Sequence, residues 1–145
     1  GTGALTGAIA HRLQPGDRFF AVDIDPLFVA ALRRRWPDVD VVCGSAEEVA
    51  RLARERDMAP LDHVISALPF TSLPADMSER ILEAVAGALQ PGGTFTTFQY
   101  IHSYNMAPAR AVRDKMTARM GKPPTRRFVV RNLPPAWILT WRKAN

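Results

Sequence analysis

The sequence predicts one open, doubly wound α/β domain, and three observations predict it. Short runs rich in β-forming residues alternate with helix-length amphipathic segments along most of the 145 residues. A glycine turn at Gly1 and Gly3 runs straight into a helical pattern, and an acidic residue, Asp23, closes the next strand about 20 residues on. The last third switches to two strands joined by a short proline turn, which ends such a sheet on an antiparallel strand.

Taken in order, residues 2–13 read as a helix stopped by the turn "QPGD". "RFFAV" (18–22) is a buried strand, and Pro26 opens a helix that runs to "RRRWP". Asp25, just before that proline, is placed to cap it. Residues 39–43 form a second strand and 46–55 a second helix after it. "HVISAL" (63–68) is a third strand, ending in the turn "PFTSLP". In residues 74–89, Ile81, Leu82, Val85 and Leu89 share one helical face. "QPGG" (90–93) breaks that helix before the strand "TFTTFQY". Residues 107–120 make a basic helix ended by Gly121 and the Pro123, Pro124 pair. "RRFVVRN" and "AWILTWR" then form a hairpin across residues 133–135, with Trp137 and Trp141 on one face.

A chain of this length builds one core, and no apolar stretch reaches the roughly 18 residues of a spanning helix. The lone Cys43 forms no internal disulfide, so the reducing cytoplasm is the expected compartment. His11, His63 and His102 lie apart without ligand-like companions, so no metal is expected. Charge is unevenly spread. Residues 1–100 hold 9 Lys and Arg against 13 Asp and Glu, whereas residues 101–145 hold 10 against Asp114 alone. Such a basic end is either a solvated helix face and tail or a surface for phosphate-bearing partners, anionic lipid or nucleic acid.

In an open α/β sheet, ligands bind at the carboxyl ends of the strands. Three stretches reach that edge. Glycines at 1 and 3 let backbone approach a ligand closely. Asp23 in "VDID" offers a carboxylate to two ribose hydroxyls. The third stretch, "SALPFTSLP", follows the third strand directly. No Gly-Lys-Ser/Thr follows the glycines, which argues against a P-loop and ATP hydrolysis.

With these three pieces in order, the chain resembles the class I S-adenosylmethionine-dependent methyltransferases over essentially its whole length. The resemblance implies a Rossmann-like sheet, mostly parallel with an antiparallel C-terminal strand, and S-adenosylmethionine as cofactor. By that resemblance Gly1, Thr2 and Gly3 line the methionine side, and Asp23 with Ile24 takes the ribose end. Ser45 and Ala46 stand where the family often has Gly-Asp-Ala near the adenine, so the Ser45 hydroxyl and Ala46 backbone replace an aspartate. Ser66 and Ala67 complete the cofactor side.

Within the family, "ALPF" (67–70) is similar to the Asn-Leu-Pro-Tyr motif of the rRNA adenine dimethyltransferases, with Ala67 in place of the asparagine. "VISALPFTSLP", "TFQY" and "RNLPPAWI" look closer to the bacterial phospholipid N-methyltransferases, which convert phosphatidylethanolamine stepwise towards phosphatidylcholine. "RNLPPA" (131–136) is the most specific of these, and it also reads simply as a rigid hairpin turn.

The chemistry so implied is in-line displacement at a sulfonium methyl by a neutral amine, for which alignment and desolvation are the protein's contribution. Backbone carbonyls at Leu68 and Pro69 would accept from the amine. Phe70, Tyr100 or Tyr104 would wall the cationic product, and Tyr100 or His102 would relay the proton. Arg110, Arg113, Arg126, Arg127 and Arg131 would face lipid phosphates, with the protein peripheral to the inner membrane. Two other readings stay open: an rRNA adenine N6-dimethyltransferase, and a non-catalytic methyltransferase-like module on anionic surfaces. By the family's pattern, the cofactor loop's acidic residue and first glycine would precede Gly1. So would the family's first strand, central in its sheet, and an N-terminal amphipathic helix. The sheet is therefore expected to have a gap, and the 145 residues alone are expected to be deficient in activity.

Overall fold

Alternation of side chains along one long strand organises the molecule. The computed structural model describes residues 3–130 and 134–145. Its elements run α1 (Ala4–Ala10), β1 (Phe20–Asp23), α2 (Pro26–Arg35), β2 (Asp40–Cys43), a 3-10 turn (Ala46–Glu48) and α3 (Val49–Arg54). They continue with β3 (Leu61–Ile65), α4 (Ala75–Ala88), β4 (Leu89–Tyr100), α5 (Ala107–Met120), β5 (Thr125–Val129) and β6 (Ala136–Arg142).

In β4, residues 89, 93, 95, 97 and 99 are buried, while residues 94, 96, 98 and 100 are half-buried on the other face. Phe95 is fully buried, stacked on Trp141 of β6 at 5.8 Å and edge-on to Phe70 at 6.3 Å. Ile81, Leu82 and Val85 of α4 and Val112, Met116 and Met120 of α5 cover that face. A far smaller core holds Val29, Leu32 and Val41, with Trp36 packed against it. As the sequence predicts, Asp25 caps α2, its side chain accepting from the Leu27 N–H, and Gly121 ends α5 in the left-handed region.

Two sheets form rather than one. β1 and β2 pair in parallel, Phe20 opposite Asp40 through Asp23 opposite Cys43. The second sheet has the order β3-β4-β6-β5, with β3 parallel to β4 and β6 antiparallel to both its neighbours. Among the described residues no ladder joins the two sheets, so the expected interruption takes this form. The carboxyl ends of β3, β4 and β5 lie at one edge of the larger sheet. One ion pair links α4 to the segment just after β2, Arg80 with Glu47, and within α4 Arg80 also binds Asp76.

Other departures are local. The "QPGG" segment does not interrupt structure before β4: the strand starts at Leu89, opposite Leu61. Gly92, at φ +77°, bends the chain there, and its N–H donates to the Lys143 carbonyl. The helix expected over 46–55 opens as a 3-10 turn because the Ser45 hydroxyl caps at Glu47.

Glu79 clamps α4 to α5 by accepting from both Lys115 and Arg119. Hydrogen bonding from Lys115, ahead of that from Arg119, holds its carboxyl below the ordinary 4.5. A depressed folded-state value means that the clamp's contribution is complete above the ordinary value. It is lost as pH falls through the lower one. Glu79→Gln is therefore expected to flatten the acid limb of stability below about pH 5. Urea midpoints of variant and wild type that stay parallel down to pH 3 would refute this.

Candidate functional site

At the carboxyl end of β1, Asp23 is half-buried and its Oδ1 accepts from the Asp25 N–H at 3.0 Å. Its carbonyl accepts from the Gly44 N–H at 3.0 Å, which binds the turn after β2 to the end of β1. Ile24 follows with 72% of its surface exposed, an apolar side chain left in water beside a carboxylate. Ser45 lies one residue past Gly44, its Oγ accepting from the Glu47 N–H at 3.2 Å while its own O–H remains a donor. Ala46 turns towards the main core.

A carboxylate, an exposed branched side chain and a hydroxyl at adjacent parallel strand ends match a nucleoside. In such a group a diol would reach the carboxylate, a base would cover the isoleucine, and its edge would meet the serine. The residues present thus fit the nucleoside end of the cofactor. Gly3 caps α1 at φ +86°, a left-handed backbone that favours glycine, and a Cβ there would stand 2.6 Å from Leu32 Cδ2. Gly1 and Thr2 lie outside the described residues.

The turn after β3 is held from both sides. The Ser66 N–H donates to the Thr96 carbonyl at 2.9 Å, and the Thr97 hydroxyl donates to the Ser66 carbonyl at 3.0 Å. Ser66 Oγ then accepts from the Leu68 N–H at 3.2 Å. Ala67 and Pro69 are exposed. The Leu68 carbonyl accepts from the Phe70 N–H and the Pro69 carbonyl from the Ser72 N–H, which leaves each with a second lone pair.

Phe70 departs from its expected role. It is 5% exposed, sealed against Phe95, because the turn drives its ring into the core. There it lines an apolar crevice of about 140 Å³ with Leu73, Leu82, Pro108 and Val112. Of the alternatives expected to wall a cation, Phe70 and Tyr104 both pack on the main core, and Tyr100 lies elsewhere. Tyr100 is half-buried at the end of β4 and stacks on exposed His102 at 5.7 Å. Tyr104 packs on Trp137, which shares the opposite face of the sheet with Gln99.

The arginines separate too. Arg113 is not directed to solvent: it donates to Gln99 Oε1 at 2.6 Å and to the Tyr104 carbonyl at 2.8 Å, lying 4.0 Å above the Tyr104 ring. A buried glutamine acceptor draws it inward, so its role as a free phosphate ligand is corrected. Arg126 is exposed and donates to the Tyr104 hydroxyl at 3.3 Å, which raises its pKa further. Arg110 and Arg127 are exposed. Arg131, with Asn132 and Leu133 of "RNLPPA", lies outside the described residues. Among the described residues no cluster of His, Cys, Asp or Glu is placed to hold a metal.

Sequence reasoning missed Thr97 and Gln99, which are buried polar side chains with partners. Their signal is the alternation in "TFTTFQY", where both fall on the face of Phe95. A polar residue in a core register needs a partner, and Thr97 finds it in the Ser66 carbonyl, Gln99 in the Ala109 carbonyl of α5.

A sequence profile described as a methyltransferase domain matches residues 1–93. An ornithine lipid N-methyltransferase from Singulisphaera acidiphila is 31% identical over 139 residues, covering 94% of this chain and 68% of that protein. Among solved structures, an rRNA methylase from Streptococcus thermophilus superposes with a TM-score of 0.71 at 16% identity, over all of this chain and 82% of its own. The N-methyltransferase NodS from Bradyrhizobium japonicum gives 0.69 at 15% identity, over 99% of this chain and 82% of its own. The two structures establish the fold.

Since Ser66 Oγ holds the Leu68 amide, Ser66→Ala is expected to speed hydrogen exchange at Leu68 at a cost of about 0.5–1.5 kcal/mol in global stability. An unchanged Leu68 exchange rate would show that the turn is held elsewhere.

Proposed function

The chain belongs to the class I S-adenosylmethionine-dependent methyltransferases, and from that membership we propose that it methylates the amino head group of a membrane lipid. Phosphatidylethanolamine, on the way to phosphatidylcholine, is the acceptor proposed. The observation that carries this reading is kinship with a lipid N-methyltransferase along nearly the whole chain. An ornithine head group presents the same chemistry, a primary amine on an acylated anchor. The nucleic-acid reading has less support, because Ala67 carries no amide to hold a planar exocyclic amine.

When bound, S-adenosylmethionine supplies an electrophilic methyl on a sulfonium centre. Asp23 holds the ribose hydroxyls, and Ile24 takes the base. Ser45 donates its O–H to a base nitrogen. At the acceptor turn, the free lone pairs on the Leu68 and Pro69 carbonyls orient the amine, which must arrive neutral. Exposed backbone at Ala67 and Pro69 lets the head group approach. Alignment of this kind is the main contribution to rate in a displacement that needs no covalent intermediate. The His102 imidazole, stacked flat on Tyr100 at the same edge, carries the released proton to water.

The protein works peripherally, at the cytoplasmic face of the inner membrane. No helix among the described residues is long and apolar enough to cross a bilayer, and the basic last third supplies charge complementary to anionic lipid.

Methyl-labelled S-adenosylmethionine offered with phosphatidylethanolamine vesicles, ornithine lipid vesicles or unmethylated ribosomal RNA tests the reading. Label is expected in an aminolipid, and the two lipid arms report the head group. Label in RNA and not in lipid would overturn the reading, and no label with no cofactor binding would leave only a non-catalytic module. Asp23→Ala is expected to weaken cofactor binding by about 1.5–3 kcal/mol, the loss of a hydrogen bond to a charged group. Unchanged affinity by calorimetry would put the ribose elsewhere.

A further inference from the structure

Large apolar side chains left in water are not scattered over the four-stranded half of the molecule. Among the described residues of β3 to β6, α4, α5 and their connections, they are Ile65, Ile101, Met106, Phe128 and Val130. Ile65 ends β3, Ile101 follows β4, Met106 precedes α5, and Phe128 and Val130 stand at the end of β5. All five lie towards the carboxyl ends of the parallel strands. The long helices α4 and α5 contribute none, and nor does the opposite edge, which presents Asp62, Gln90, Thr125 and Arg142. Singly exposed apolar residues are ordinary, but segregation to one edge is not.

Hydrogen bonds bring the outermost three together. Tyr100 and Val129 both pair with Ala136, and the Ile101 N–H donates to the Pro135 carbonyl at 2.9 Å. Ile101 and Val130 therefore flank the entry of β6 on either side. Met106 joins them as the N-cap of α5, its N–H donating to the Ser103 carbonyl at 3.0 Å. These residues are 48%, 66% and 53% exposed respectively.

Cations border this rim. Arg110 stands in the first turn of α5, its N–H donating to the Met106 carbonyl. Arg126 and Arg127, successive residues of β5, point to opposite faces of the sheet and so flank the rim on both sides. All three are exposed, and Asp114 is the only acid in residues 101–145.

We infer that this rim is a bilayer-docking surface. Ile101, Met106 and Val130 enter the headgroup layer of an anionic membrane, while Arg110, Arg126 and Arg127 meet its lipid phosphates. Apolar side chains that dip into the interface, bordered by basic ones at phosphate level, are the chemistry of monotopic attachment. The inference rests on the lipid-acceptor reading and adds an orientation to it. The turn Ser66–Phe70 leaves the same edge, so docking brings it to headgroup depth and the amine need not leave the bilayer.

The test is co-sedimentation of the chain with vesicles of phosphatidylglycerol and phosphatidylcholine, compared with pure phosphatidylcholine and with structured RNA. The variant carries Ile101→Ser, Met106→Ser and Val130→Ser, with circular dichroism confirming its fold. Wild type is expected to bind the anionic vesicles. It should retain part of that binding at about 1 M salt, where a screening length of about 3 Å silences the arginines. The triple variant is expected to bind at least tenfold more weakly and to keep nothing at high salt. Arg126→Glu with Arg127→Glu should do the reverse, losing binding mainly at low salt.

Vesicle binding unchanged in the triple variant would overturn the inference, as would a preference for RNA over vesicles that the variant leaves intact. Methylation of a short-chain, water-soluble aminolipid separates the two proposals. If wild type and triple variant methylate it equally and only vesicle methylation falls, docking is supported. If wild type binds vesicles through the rim but methylates no aminolipid, the acceptor reading fails while the surface stands. If it methylates the soluble acceptor but ignores vesicles, the surface fails alone.

Discussion

The four-stranded half of this molecule depends on β4. Its twelve residues carry partners of β3 and the turn after it, of β6 and of α5. Thr96 and Thr97 hold Ser66, and Gln99 holds both α5, through the Ala109 carbonyl, and Arg113. Phe95 fixes the strand in depth between Phe70 and Trp141. A shift of one residue in its register would exchange Phe95, Thr97 and Gln99 for the half-buried set on the other face. The turn, the helix and the core would then all lose their partners at once.

That dependence explains the uneven legibility of the sequence. Periodicity marked the helices over Pro26–Arg35, Ala75–Ala88 and Ala107–Met120 because each has one covered face and a clear stop signal at its end. The strand over Leu89–Tyr100 was legible only from Thr94 onward. "QPGG" carries breaker chemistry, and pairing of Leu89 with Leu61 and of Gly92 with Lys143 is made by residues remote in sequence. The split of the sheet was legible through the family's pattern and invisible to local propensity.

At the site, polar residues at strand ends were easier to read than aromatic and basic ones. Asp23, Ser45 and Ser66 keep their places because backbone geometry alone determines where a strand ends. Phe70 and Arg113 do not, because a side chain follows its nearest deep partner. A phenylalanine two residues from an exposed turn is drawn to Phe95, and a guanidinium near a buried glutamine satisfies it. The same neighbourhood of residues 101–145 that looked uniformly basic is thereby sorted into structural cations, such as Lys143 on the Ala86 and Leu89 carbonyls, and outward ones.

The two cores differ in size, and that difference bears on how the molecule breathes. Among the described residues, sixteen buried side chains form the larger core, against Val29, Leu32 and Val41 under β1 and β2, and no backbone ladder crosses between the sheets. The smaller core is therefore the place where local opening is expected at the lower free energy, although Phe20 of β1 also packs on the larger core. Asp23, Ile24 and Ser45 all belong to the weaker unit. On the proposal that a nucleoside seats there, opening of the unit lowers the ligand's apparent affinity by the fraction of molecules in which the unit is closed. In return, a ligand that binds only the closed unit would raise the unit's protection with the logarithm of its concentration once that exceeds Kd.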